Sequence, residues 1–207
     1  MPDMTVADGV SYYDDKARGL SKHYDRVTFE AVHHPVVSFL PKKGSALDVG
    51  AGSGRDARAL ADRGLVVTAA EPSSSFRALA ANRDPRIRWV DDRLPRLPRL
   101  VDEALRYDFI LCSGVLMLVE PRDIPQSFET MRALLAAAGY LWVNVRAPVE
   151  GEPTGVFYPH SDANLLAAAS GAGLECIEHV ESPDALGRDQ HRWRSFLFVH
   201  HVDGHER

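Results

Sequence analysis

The stretch LDVGAGSGRDARALADRG, Leu47 to Gly64, narrows the possible folds more than any other part of the 207-residue chain. An apolar run of strand type leads into glycines at 50, 52 and 54, and a run of helix formers follows, closed by Gly64. Glycine adopts positive φ without the clash a Cβ would bring, so a turn built this way can be tight and can lie close against a ligand. Strand, glycine turn and helix in that order open a βαβ unit, which requires a parallel sheet with helices packed on it.

The remaining pattern continues that unit. LVVTAAEP reads as a second strand ending on Glu71, and SSSFRALAANR as a helix whose serines can cap its start. RIRWVDD is a third strand, LPRLVDEALR a short helix and YDFILCSGV a fourth strand. A helix is expected over about 125–138, then YLWVNVR as a fifth strand and DANLLAAASGAG as a helix. LECIEHVES and WRSFLFVHHV close the chain as two strands, readable as an antiparallel pair. Ahead of all this, residues 11–40 carry apolar side chains at three- and four-residue spacing, with Pro35 starting or kinking a helix and PKKG as a turn. The strands are continuous apolar runs, as in sheets buried on both faces, so the expected fold is α/β, a three-layer αβα sandwich. At 207 residues, 45% hydrophobic, one domain is expected. It divides into a helical cap over 1–42, a ligand-binding core over 43–146, and a substrate-side loop, helix and strand pair over 147–207.

Several classes are disfavoured. The formal net charge of -5 does not suggest a broad basic face for nucleic acid, and the arginines of RIRWVDDRLPRLPRLVDEALR are interrupted by acids. No apolar run reaches the roughly 18 residues of a membrane span, and the acidic start of the chain is unlike a signal peptide. Two cysteines, Cys112 and Cys176, are too few for a disulfide scaffold or a cysteine metal site. The pairs His33–His34 and His200–His201 lack the i, i+4 spacing of a helical metal site, so no metal is expected. The chain reads as cytoplasmic, a monomer or homodimer.

The ligand of the glycine turn follows from what surrounds it. A dinucleotide fingerprint places glycine at the first, third and sixth positions, whereas here the sixth is Arg55, and the Gly-Lys-Ser/Thr of a phosphate loop is absent. Asp48 before the turn would repel a pyrophosphate and attract a cation. Glu71, twenty-one residues after Gly50, suits two ribose hydroxyls. Asp91 and Asp92 offer a carboxylate to an adenine amino group, or else cap the next helix. A cationic adenosine derivative, S-adenosylmethionine, fits this row of strand ends.

These residues carry a resemblance. LDVGAGSGRDARALADRG, VVTAAEPS, RWVDD and YDFILCSGVLMLV, in that order and spacing, resemble the successive motifs of class I S-adenosylmethionine-dependent methyltransferases over about 43–146. YYDDKARGLSKHYD is similar to the helical cap of many members that act on small molecules. The resemblance implies a Rossmann-like, mostly parallel seven-stranded sheet with its last strand antiparallel. It places Gly50, Ala51 and Gly52 against the methionine part of the cofactor, with Asp48 orienting the loop or binding the amino group. Glu71 with Pro72 falls at the ribose, Asp92 ahead of Asp91 at the adenine, and Ser113 beside the methyl donor, with Tyr24 of the cap on the cofactor side as well.

Transfer of an activated methyl group needs positioning first, and a base only where the acceptor must lose a proton. Tyr13, His23, Tyr24, Arg146, Tyr158 and His160 are the candidates for the acceptor pocket, with His160 as the preferred base because it can titrate near neutral pH. Cys112–Ser113–Gly114–Val115 stands where similar nucleic-acid amino methyltransferases carry Asn or Asp, two prolines and an aromatic, which favours a small-molecule acceptor. The alternatives are an RNA or protein methyltransferase and a non-catalytic binder of the cofactor; an NAD-linked oxidoreductase is disfavoured by Arg55.

Overall fold

The computed structural model describes residues 9–200. Seven strands form one sheet: β1 (Ser45–Val49), β2 (Val66–Ala70), β3 (Arg88–Val90), β4 (Tyr107–Ser113), β5 (Leu135–Arg146), β6 (Leu174–Pro183) and β7 (Arg192–His200), in the order 3-2-1-4-5-7-6. β1 to β5 pair in parallel, while β7 is antiparallel to both β5 and β6, so the last strand alone runs against the rest. The expected Val202 end of β7 lies outside the described residues, as do residues 1–8 of the cap and His201 of the second histidine pair.

Strand side chains alternate between faces, and that alternation builds the three layers. On β4, Ile110 and Cys112 join Leu100 of α5 (Pro98–Asp102), Phe128 and Met131 of α6 (Ile124–Leu134) and Leu165 of α7 (Asp162–Gly171). Phe109 and Leu111 point the other way, to Phe29 of α2 (Phe29–His33), Val36, and Ala57 and Leu60 of α3 (Arg55–Asp62). A buried polar relay ties that second layer together. Trp142 Nε1 donates to His33 Nδ1 at 3.2 Å, which leaves the ring proton on Nε2 to be donated to Asp56 Oδ2 at 3.2 Å. The next residue back, Arg55, holds both Asp56 oxygens at 2.7 Å.

The cap divides as its proline suggests. α1 (Gly9–Tyr24) is followed by α2 and by a 3₁₀ turn over His34–Phe39 with Pro35 in its first turn. Carboxylates clamp α1 to the elements around β1 and β2. Asp14 accepts from Ser73 Oγ at 2.5 Å and from Ser75 N at 2.9 Å, at the start of α4 (Ser74–Ala81). Just after α1, Asp25 accepts from Ser53 Oγ at 2.9 Å and from Arg58 and Arg83.

One boundary departs from the sequence pattern. The helix expected over 125–138 stops at Leu134, and β5 begins at Leu135. Leu135 pairs with Tyr107, and the register then jumps to Tyr140 opposite Phe109, so Ala136 to Gly139 bulge from the ladder. Burying Leu135 and Tyr107 together outweighs the helix propensity of three alanines, which is worth only tenths of a kcal/mol per residue. Gly139 is required there, since a Cβ would come within 2.9 Å of the Tyr107 carbonyl oxygen.

Candidate active site

The sheet order reverses between β1 and β4, and ligands gather at the carboxyl ends of strands at such a point. A cavity of about 410 Å³ lies there, within the range of roughly 300–1,000 Å³ typical of small-molecule sites. Its floor is the glycine turn. Gly50 N donates to Ala70 O at 2.7 Å and Gly54 N to Ala51 O at 2.9 Å, which pins the turn against the end of β2. Gly50 has φ +69°, and a Cβ on it would meet Val115 Cγ2 at 2.4 Å. Gly52, at φ +52°, is different: a Cβ on it would meet nothing closer than Gly50 O at 3.9 Å. The turn therefore needs glycine at 50 to pack against the loop after β4, and at 52 it leaves backbone bare toward open space.

Glu71 anchors the same turn. Its Oε2 accepts from Gly52 N at 2.8 Å and its Oε1 from Ser73 N at 2.7 Å, while the side chain borders the cavity. A carboxylate has about four acceptor sites, so two remain after these bonds. Asp92 also borders the cavity; it accepts from Arg93 N at 3.1 Å and, at the start of α5, from Leu100 N at 3.0 Å. The N-cap position of α5 is Leu97, but the Asp92 carboxylate still satisfies a first-turn N–H of that helix while it borders the cavity. Gly50, Ala51, Gly52, Pro72, Ser113 and Tyr24 line the cavity too.

Five of the expected residues stand elsewhere. Asp48 is buried beneath the turn and off the wall, and its Oδ2 has no hydrogen-bond partner. Asp91 turns outward to an ion pair with Arg77 at 2.9 Å, on the neighbouring surface, because successive residues past the end of β3 face opposite ways. His160 is the clearest correction. It lies off the cavity wall, and its Nε2 faces the carbonyl oxygens of Leu116 at 2.9 Å and Val119 at 3.1 Å. Burial pushes its pKa down, so it is a neutral ring donating to both carbonyls and pinning the turn after β4. With its Nε2 proton committed to these carbonyls and its ring off the wall, His160 holds the turn after β4 and does not stand where the expected base would meet a substrate. His23 and Tyr158 also lie off the wall. Tyr158 O–H donates to Gly155 O at 2.9 Å.

The electrostatics divide the cavity into two ends. At the first, burial raises the carboxyl pKa values of Glu71 and Asp92, and burial together with the nearby Asp56 raises that of Asp48 well above the usual range. Arg55, which acts on Asp48, is spent on Asp56, and Arg77, which acts on Glu71, is spent on Asp91 and the Glu71 carbonyl. A cationic nucleoside would add a positive charge beside these acids. The bare Gly52 backbone and the two free acceptor sites of Glu71 fit such a ligand as well.

At the other end are side chains the sequence pattern did not bring together. Register places Trp193 of β7 opposite Arg146 and Ser195 opposite Asn144. Asn144 Nδ2 donates to Ser195 Oγ at 2.8 Å, leaving its Oδ1 unpaired and buried. Arg146 is held by Glu152, while Arg188, from the β6–β7 connection, is held in a fork by Asp184. Tyr13 and Tyr24 close the end from α1; eleven residues apart, they fall on one helix face. Burial raises the pKa of both phenols, so both are neutral donors.

Among the described residues, no group of His, Cys, Asp and Glu side chains is arranged to hold a metal ion, and no helix is long and apolar enough to cross a membrane.

Comparison with known proteins agrees with this geometry. Residues 47–141 match the family described as a methyltransferase domain. The structure is similar to the Burkholderia thailandensis 1,6-didemethyltoxoflavin-N1-methyltransferase, solved with its substrate and S-adenosylhomocysteine, at 21% identity and a TM-score of 0.66, covering 97% of this chain and 93% of that one. It is similar to the CcbJ methyltransferase of Streptomyces caelestis at 18% identity and a TM-score of 0.72, covering 95% and 100% of the two chains. A third similar structure is the magnesium protoporphyrin IX methyltransferase of Synechocystis with bound S-adenosylmethionine, at 16% identity and a TM-score of 0.65, covering 94% and 86%. No curated protein matches the chain by sequence.

Proposed function

We propose that this chain, whose residues 47–141 match the family described as a methyltransferase domain, is a class I S-adenosylmethionine-dependent methyltransferase that transfers the methyl group to a small molecule bound in the same cavity as the cofactor. One observation carries the reading. A single cavity is bordered at one end by the glycine turn, Glu71 and Asp92, and at the other by Tyr13, Asn144, Arg146 and Trp193. The three similar enzymes, two of them named for small substrates, support it.

S-adenosylmethionine supplies a methyl group already activated on a sulfonium, so transfer is an in-line displacement. The free acceptor sites of Glu71 take the ribose hydroxyls, and Pro72 packs beside them. Asp92 faces the adenine amino group. Gly50, Ala51 and Gly52 lie along the methionine part, with Ser113 and Tyr24 flanking it, while Asp48 supports the turn from below. On the acceptor side, Tyr13, Asn144 and Arg146 orient the substrate, and Trp193 packed on Gly114 closes the wall. α1 roofs the cavity, excluding water through the Asp14 and Asp25 clamps. The donor being already activated, the rate comes chiefly from alignment and desolvation, with a base needed only where the acceptor must lose a proton.

The test is calorimetry with S-adenosylhomocysteine and with NAD, followed by a metabolite panel and isotopically labelled methyl donor read by mass spectrometry. Binding of the homocysteine product without binding of NAD, and a mass shift of one methyl on a small molecule, are expected. Tight NAD binding with none of S-adenosylhomocysteine would overturn the proposal.

A further inference from the structure

The acceptor end of the cavity has an excess of hydrogen-bond donors, although each charge there already has a partner. Asp184 accepts five bonds: from Arg188 Nε and an Arg188 terminal nitrogen, from Trp193 Nε1, and from the backbone of Leu186 and Arg188. Glu152 accepts from both terminal nitrogens of Arg146 and from Val149 N. Asp184 is saturated, and Glu152, with three bonds, keeps about one of its four acceptor sites. The arginines keep donors to spare. A guanidinium has five N–H donors, of which Arg188 commits two and Arg146 three, the third to Ala147 O.

Both arginines are close enough to the Tyr13 and Tyr24 hydroxyls to act on their ionisation, and burial keeps both phenols protonated. Two buried side-chain atoms beside this set have no hydrogen-bond partner, Asn144 Oδ1 and Nδ1 of His191, whose ring feels the same four charged residues. The opposite end of the cavity is bordered by the buried acids Glu71 and Asp92, with Arg55 and Arg93 also on the wall.

Resting on the methyltransferase reading above, we infer that the methyl acceptor carries an ionised oxygen, of the carboxylate or phenolate type, bound by the uncommitted edge of Arg188 with Arg146 and the Tyr24 hydroxyl beside it. A guanidinium edge and a neutral phenol present the planar donor set that such an oxygen takes. The chemistry balances without a base. The acidic O–H loses its proton to solvent on entering, because spare N–H and O–H donors that bond the ionised form lower its pKa. A lone pair of that oxygen forms the new O–CH₃ bond while the carbon–sulfur bond breaks and its electron pair stays on sulfur. One negative and one positive charge are consumed, giving neutral ester or ether and neutral thioether. This agrees with a cavity wall that carries no histidine among the described residues.

The probes are two pairs of aromatic compounds alike in shape and different in charge: benzoate with benzamide, and 4-nitrophenolate with 4-nitroanisole. Each is titrated at pH 8 into protein loaded with S-adenosylhomocysteine. The anion of at least one pair is expected to bind about tenfold or more tightly than its neutral partner, the scale of a charge-assisted hydrogen bond. Arg188→Gln removes that preference and leaves S-adenosylhomocysteine affinity within about twofold. Arg188→Lys, which keeps the charge opposite Asp184 and so guards against misfolding, retains a reduced preference, as does Tyr24→Phe. Equal binding within both pairs, no binding of either anion, or a preference that survives Arg188→Gln overturns the inference. So does an equal loss of S-adenosylhomocysteine binding in Arg188→Gln, which would assign Arg188 to the cofactor's own carboxylate. Failure of the wild-type protein to bind S-adenosylhomocysteine overturns the methyltransferase reading itself and takes this inference with it.

Discussion

Replacing Glu71 by glutamine separates two tasks that fall on one carboxylate. In the structure, both of its oxygens accept backbone N–H groups, from Gly52 at 2.8 Å and Ser73 at 2.7 Å. Glutamine keeps the shape but has one accepting end; its NH₂ must face one of those two donors. A buried donor left unmade costs about 1–3 kcal/mol. Burial, however, already raises the Glu71 pKa, so removing the charge returns part of that cost and the lower half of the range is expected. For a chain of this size, about 1–2 kcal/mol lowers the melting midpoint by roughly 2–8 °C. The effect on binding is separate and larger. Charge-assisted bonds to ribose hydroxyls contribute about 1.5–3 kcal/mol, so S-adenosylhomocysteine affinity should fall about 10- to 150-fold. Thermal unfolding and calorimetry on the same preparation read both numbers. If affinity stayed within twofold of wild type while the midpoint fell, Glu71 would be a clamp for the turn and no ribose would lie on it.

Three further outcomes follow from the same geometry. Gly52→Ala should fold with a penalty near the 1–2 kcal/mol of a non-glycine residue at positive φ and bind S-adenosylhomocysteine poorly, because its methyl points into the space the ligand needs; Gly50→Ala should be the less stable variant, since its Cβ strikes Val115. Circular-dichroism melts and calorimetry distinguish the two, and the opposite ranking of stability would count against this account of the turn. His160→Gln should leave the pH–rate profile unchanged. Burial lowers the pKa of His160, so its stability contribution is present above its ordinary value of 6.5 and is lost as pH falls below that; melts from pH 7.5 to 5 should show a shallower acid decline in the variant. Finally, Glu71, Asp92 and Asp48 have raised pKa values, so a cationic ligand should draw them into ionisation. Binding should release protons and weaken as pH falls through the raised carboxyl range; calorimetry in buffers of differing ionisation enthalpy reads the release, and proton uptake would contradict it.

Most of the fold was legible because its signals are local. β1 to β4, the glycine turn and the Ser73 cap of α4 follow from alternation, run length and residues that stabilise one backbone geometry. The failures were places where distant contacts overrule local preference. Three alanines ask for helix, but Leu135 gains more by entering the sheet opposite Tyr107. Asp91 and Asp92 are the same residue in neighbouring positions, and only the direction of the chain past β3 sends one to the cavity and the other to Arg77. His160 has the composition of a base; two carbonyls after β4 make it a structural pin.

The sequence by itself determined the cofactor half of this protein, since glycines, acids and strand ends lie within a few residues of one another along the chain and backbone geometry alone fixes their arrangement. The acceptor half was decided only in three dimensions. Arg188, Asp184 and Trp193 meet Arg146 and Asn144 because β7 inserts antiparallel between β5 and β6. Tyr13 and Tyr24 join them because two carboxylates hold α1 across the strand ends. Those contacts depend on sheet order and on packing over long sequence separations, which no local run of residues encodes.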